Sequence, residues 1–349
     1  MNEGPLSILS VAYPLAPVGP DSVGGAEQVL SAMDRALHAA GHRSIVVAQE
    51  GSSVAGLLWP VPRPAGPLDE PAWKRSQANT AHAISEALRS EPVDLVHLHG
   101  IDFHAYLPPP GPPVLATLHL PPSWYPIAAL NPPRPRTWLH GVSASQHAAM
   151  KGKVEALLPP VPNGVPVGEL AATRHARRGF VLMLGRICPE KGQHHALDAA
   201  RAADVPLLIG GEVFPYESHE RFFAEEVRPR LDRRRRFLGP VGFARKRRLL
   251  AAARCLLVPS TAPETSSLVA MEAAACGTPV VAFASGALPE VVEHGRTGFL
   301  VSGVVEMAEA IARVGTLDPE EIRRVARERF SLARMAAEYM ALYRRLVAA

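Results

Sequence analysis

The stretch PETSSLVAMEAAACGTPVV, residues 263–281, sets two carboxylates eight positions apart, Glu264 and Glu272, in a run with no other charge. Thr265, Ser266 and Ser267 are good helix N-caps, and Gly277 ahead of Thr278-Pro279 is a stop signal. A short helix is therefore expected here, leading into a strand at 279–284. It is apolar on nearly every side, as a buried helix is. Glu264 falls just before it and Glu272 inside it. The amides of Ser266, Ser267 and Leu268 point out of its N-terminus, a natural anion site. A favourable interaction with the helix dipole, about 0.3–1 kcal/mol, is a sufficient account of Glu264 taken alone. Glu272 is different: among Val269, Ala270, Met271 and Ala273 an unpaired carboxylate costs several kcal/mol. It requires a donor, either a protein cation or the vicinal hydroxyls of a ligand.

Working outward, short apolar or β-branched runs recur at 8–13, 44–48, 95–98, 114–118 and 141–144, then at 180–184, 206–209, 236–238 and 255–259. Helical patterns separate most of them, such as 26–40 and 193–203. This alternation predicts parallel sheets covered by helices on both faces, an α/β class. At 349 residues the chain exceeds one ordinary core, so two doubly wound domains are expected. The proline-rich 157–166 and the polar 173–179 divide them. The expected organisation is a first Rossmann-like domain over 1–166, a second over 167–331, and a last helix from 332 to 349 that returns to the first. Ligands of open α/β sheets bind beyond the carboxyl ends of the strands, so a shared cleft is expected.

Composition excludes several classes. The formal charge is only +4, and no aromatic-interleaved basic patch argues for nucleic acid. Two basic runs, 233–236 and 245–248, read as solvated helix faces unless the fold brings them to a ligand. Cys188, Cys255 and Cys276 have no CxxC spacing, which suits reduced core residues of a cytoplasmic protein. The first twenty residues resemble neither a signal peptide nor a membrane span, and membrane association has no support in the sequence.

A second motif, LMLGRICPEKG at 182–192, places Gly185 at a strand end, then the planar fork of Arg186 and the point charge of Lys191 near a helix start. Such groups suit a diphosphate. In the first half, Gly24-Gly25 follows a strand and opens a helix, so its amides suit a phosphate or an acceptor group, or form a turn that needs glycine. No GxGxxG is present, which disfavours a nicotinamide enzyme. His97, His99, His104 and His119 invite a zinc reading, but nothing nearby completes a ligand set, and no metal site is expected. Trp124 and Tyr125 look exposed in a loop beside His119, suited to an acceptor platform or to core packing.

Together these pieces resemble the family-four retaining glycosyltransferases of the GT-B fold. The matching residues are Gly24-Gly25-Ala26-Glu27, His97-Leu98-His99, Thr117-Leu118-His119, Pro162-Asn163-Gly164-Val165, Gly185-Arg186 with Lys191-Gly192, 264–279, and SGALPEVVEHGRTGFLV at 285–301. The resemblance implies two Rossmann-like domains and transfer of a hexose-type sugar from a nucleotide diphosphate sugar, UDP-sugar favoured, to an acceptor hydroxyl with retention. It implies that His119 lines the donor sugar and that Glu264 contacts its hydroxyls. Glu272 would hold the ribose, while Arg186 and Lys191 clamp the diphosphate with Gly185 and the amides of Ser266, Ser267 and Leu268. No Asp-x-Asp is present, consistent with protein cations stabilising the leaving group and with no cofactor beyond the donor. One departure matters: many relatives carry a Gly-Phe-Gly-like stretch where this chain has Thr265-Ser266-Ser267. The acceptor, a small metabolite, a glycan or a lipid carrier, is left open. A GT-B-type epimerase and a non-catalytic sugar-nucleotide-binding protein are the competing readings.

Overall fold

The computed structural model describes residues 4–66, 68–172 and 175–349. Pro67, at the end of one proline cluster, and Thr173-Arg174, at the start of the expected polar divider, lie outside the described residues. Two compact units form, Met1–Pro162 with Ala333–Ala349, and Asn163–Leu332.

In the first unit six strands run parallel: β1 Ser7–Val11, β2 Arg43–Gln49, β3 Leu57–Val61, β4 Leu95–Leu98, β5 Val114–Thr117 and β6 Thr137–His140. Their order is β3-β2-β1-β4-β5-β6, and Leu9 of β1 sits between Ile45 and Val96. The second unit repeats this plan with β7 Val181–Leu184, β8 Leu207–Gly210, β9 Arg235–Phe237, β10 Leu256–Val258, β11 Val280–Phe283 and β12 Gly298–Val301. Its order is β12-β11-β10-β7-β8-β9, again all parallel. Both orders reverse direction after the first strand of the unit, as doubly wound sheets do. The two units are the paired Rossmann-like sheets of a GT-B fold.

Three strands depart from the sequence expectation. β3 was not among the expected strands and contains Pro60, a residue type that ordinarily marks a loop. It lies at the sheet edge, where proline's missing donor faces no neighbour. β6 ends at His140, and 141–144 instead leads into the helix Ala144–Met150, capped by the Ser143 hydroxyl. β12 is the opposite edge of the second sheet and begins at Gly298, where a Cβ would stand 2.0 Å from the Val280 carbonyl oxygen. The last helix, Leu332–Ala348, lies with the first unit from Ala333 onward and buries Tyr339 and Tyr343.

Candidate functional site

Gly185 follows β7, and Arg186 comes next, half-buried, its carbonyl held by the Gln193 amide at 2.8 Å. A single 3-10 turn, Pro189–Lys191, then presents Lys191. Gly192 ends that turn at φ 70°, and a Cβ on it would lie 2.2 Å from the Pro259 carbonyl oxygen. Only glycine permits this approach, which sets Lys191 against the loop after β10. There its ammonium meets Glu264 Oε1 at 2.5 Å, and the Ser260 hydroxyl donates to the same oxygen. Burial pushes the Glu264 carboxyl up, but Lys191, the Ser260 hydroxyl and the Arg186 charge offset this and hold it below its ordinary value. Behind the loop, the Ala287 amide donates to the Glu264 carbonyl at 2.7 Å. Gly286 packs so closely at φ 58° that a Cβ would stand 2.2 Å from the same oxygen.

The helix begins at Leu268 and runs to Ala275. The expected capping chemistry is absent: Ser267 occupies the N-cap in the left-handed region, φ 59°, and its side chain makes no cap hydrogen bond. In that conformation the hydroxyl cannot reach the first-turn amides, so Ser267 is a poor cap despite its residue type. Ser266 is buried, and its hydroxyl has no hydrogen-bond partner among the described residues. A buried orphan donor beside a helix N-terminus is suited to an oxyanion.

Glu272 is buried, with 5% of its side chain exposed, and its donor is Lys246, whose ammonium lies 2.5 Å from Oε1. Lys246 belongs to the helix Phe243–Ala252 and to the basic run at 245–248. Sequence reasoning required a donor for Glu272 but did not find this one. A carboxylate has about four lone-pair sites, so an ammonium on one oxygen leaves room for hydroxyl donors.

In the first unit, His97 and Thr117 of the matching motifs join His140 in a hydrogen-bonded chain. His140 Nδ1 lies 2.9 Å from the Gly141 carbonyl and must donate to it, so Nε2 of the neutral ring accepts from Thr117 at 2.7 Å. Thr117 Oγ1 then accepts from His97 Nε2 at 2.6 Å, and His97 Nδ1 accepts from the Tyr343 hydroxyl at 2.6 Å. His97 is thus a structural hydrogen-bonder that docks the last helix. His99 Nδ1 and His119 Nε2 share a hydrogen bond of 3.0 Å. Burial lowers all four rings, with neighbouring imidazoles adding to the effect at His97, His99 and His119; His119 falls to about 3 and His140 to about 4. Tyr125 is buried, not exposed as its sequence context suggested. Its hydroxyl accepts from the His119 amide at 3.1 Å and fixes that backbone, while Trp124 stays exposed.

Gly24 and Gly25 open the helix Gly25–Ala39 as expected, but φ at Gly24 is −76°, a value open to any residue. Space is the constraint there: the buried Glu27 carboxylate folds back over Gly24, where a Cβ would meet Oε2 at 1.8 Å. Among the described residues one trio has metal-ligating geometry, Cys188, Glu190 and His219, with ligand atoms within 4.8 Å of one another. Burial pushes the Cys188 thiol up to about 11, so a metal would first displace that proton. No helix among the described residues is long and apolar enough to cross a membrane.

The family model described as glycosyl transferases group 1 matches residues 178–316, and that described as glycosyltransferase family 4 matches residues 23–149. A D-inositol 3-phosphate glycosyltransferase of Corynebacterium efficiens is 36% identical over 191 residues, 50% of this chain and 44% of that protein. An alpha-maltose-1-phosphate synthase of Mycolicibacterium smegmatis is 33% identical over 197 residues, 49% of each. The chain thus spans about half the length of the curated relatives it matches. Among solved structures, AviGT4, a glycosyltransferase involved in Avilamycin A biosynthesis, aligns with TM-score 0.72 and 26% identity over 99% of this chain and 98% of that one. The Anabaena protein HepE, in complex with UDP-glucose, is alike in fold at TM-score 0.72 and 20% identity, over 97% and 99% of the two chains. With one model on each unit and the GT-B architecture spanning both, the chain belongs to the group 1, family 4 glycosyltransferases.

Proposed function

We propose that the protein transfers a hexose-type sugar from a nucleotide diphosphate sugar, UDP-sugar in our reading, to an acceptor hydroxyl, with retention and without a metal. The observation that carries this is the Lys191–Glu264 pair, set beside Arg186 and the orphan Ser266 hydroxyl at one helix N-terminus. Two cations, a helix end and an unpaired buried donor make up an oxyanion site. On this reading the diphosphate draws Lys191 away from Glu264, and the freed carboxylate accepts from sugar hydroxyls. Charge building on the leaving diphosphate is met by Arg186, Lys191 and the amides of Ser266, Ser267 and Leu268, with Gly185 allowing close backbone approach. Glu272 holds the ribose while Lys246 keeps its charge in place. A leaving phosphate oxygen takes the acceptor's proton.

In the first unit, His119 is assigned to the donor sugar; it is neutral at physiological pH and held by His99. Gly24 and Gly25 are assigned to an acceptor hydroxyl and not to a phosphate, because Glu27 already stands at that helix end. Buried free cysteines at 188, 255 and 276 support a reducing compartment. The relatives named for D-inositol 3-phosphate support a polyhydroxylated acceptor. The test is incubation with UDP-hexoses and a panel of polyols and glycans, read by mass spectrometry and by the anomeric coupling of the product. A glycoside with the donor's configuration is expected; UDP release at an equal rate with and without acceptor would point to an epimerase or hydrolase instead.

A further inference from the structure

The two arginine-rich runs, twelve residues apart in sequence, meet at one place in the second unit. Arg178, Arg233, Arg234, Arg236, Arg245 and Arg248, all exposed, line an open cavity of about 1170 Å³ together with the half-buried Phe180, Leu208 and Leu249. No carboxylate lines it among the described residues. Of the six, only Arg234 has an ion pair among the described residues, with Asp204 at the surface. Guanidinium groups gathered around one cavity repel one another, and their concentration there favours an anion.

The donor chemistry does not account for this cavity. Arg178 and Phe180 precede β7, Pro206 precedes β8, and Arg233 and Arg234 precede β9, so it opens at the amino ends of the strands. The diphosphate groups, Gly185 and Arg186, follow the carboxyl end of β7. A four-residue strand spans about 13 Å, which separates the two places along the sheet. The helix Phe243–Ala252 touches both through different residues: Lys246 pairs with Glu272, whereas Arg245 and Arg248 line the cavity.

We propose that this cavity is a second ligand site, for a small anion carrying several phosphoryl groups. Planar guanidinium forks match phosphate oxygens bidentately, and Phe180, Leu208 and Leu249 give the cavity an apolar side. The proposal is independent of the sugar-transfer reading.

Titration calorimetry with sodium tripolyphosphate on the full chain tests it. The comparison uses wild type, Arg236→Ala/Arg245→Ala, Lys191→Ala as a control for the diphosphate clamp, and Arg89→Ala as a control for surface charge. The expected result is a salt-sensitive binding event that survives Lys191→Ala and Arg89→Ala and weakens about ten-fold or more in the double variant. Cosedimentation with vesicles of phosphatidylglycerol and phosphatidylcholine is the second arm. Capture by vesicles and not by tripolyphosphate, lost in the same double variant, would overturn the small-anion assignment and mark a surface for lipid headgroups instead. Binding that disappears in Lys191→Ala alone, affinity unchanged in the double variant, or no binding in either arm would overturn the proposal.

Discussion

In the second unit the two carboxylates at the site are each joined to an ammonium group, Glu264 to Lys191 and Glu272 to Lys246. In the first unit the chain from Tyr343 through His97, Thr117 and His140 to the Gly141 carbonyl carries no net charge. The difference teaches what each arrangement is for. A neutral relay in which every donor meets an acceptor holds the last helix at little electrostatic cost. Buried ion pairs seldom stabilise a fold beyond what apolar residues would, because desolvation offsets attraction. Two such pairs around one short helix are better explained by charge held ready for a ligand.

If that contrast is right, the largest effect belongs to Lys191. Lys191→Ala should lower turnover at saturating donor by about 10²–10³-fold, near 3–4 kcal/mol of barrier, with near wild-type turnover counting against the clamp. Lys246→Ala should act on the fold instead, because it strands a buried carboxylate, and a loss of about 3 kcal/mol in denaturant unfolding is expected. Lys246→Met with Glu272→Gln should recover most of that stability without recovering nucleotide binding. If the single and double variants are equally stable, the pair does not carry this charge balance.

The neutral relay predicts a pH signature. The folded values of His97, His99, His119 and His140 lie below the unfolded value near 6.5, so below that pH the unfolded chain binds more protons. Stability is fully present above pH 6.5 and falls as pH drops, by up to about 1.4 kcal/mol per pH unit for each ring. Unfolding midpoints that stay flat from pH 7.5 to 5 would show these rings to be charged in the folded protein. The smallest effect concerns Ser267: its left-handed backbone costs a non-glycine residue about 1 kcal/mol, which Ser267→Gly should largely recover. A thermal midpoint that falls on this change would mean the hydroxyl supplies more than the backbone strain costs.

These contrasts also mark what the sequence could reveal. Strand alternation, the need of Glu272 for a donor, and the grouping of Arg186 with Lys191 were legible because each rests on local pattern or on the cost of burying charge, whereas Glu264 joined them only through the family resemblance. Lys246 was hidden because its partner is twenty-six positions away and its own neighbours are arginines. Pro60 concealed β3, since proline reads as a loop until the strand is known to be an edge. Ser267 was read from residue type as a cap, whereas cap function depends on a backbone angle that residue type does not fix. Tyr125 looked exposed among prolines, yet its ring is buried while its hydroxyl turns back to His119.

The central claim is that the two glutamates divide the donor, Glu272 taking the ribose and Glu264 the sugar. Calorimetric titration of UDP into wild type, Glu272→Gln and Glu264→Gln tests it most directly. Glu272→Gln should weaken UDP by about ten-fold or more, the worth of a charge-assisted hydrogen bond. Glu264→Gln should leave UDP affinity intact or raise it, because Lys191 is released from its partner. Equal losses in the two variants, or a loss confined to Glu264→Gln, would contradict the account.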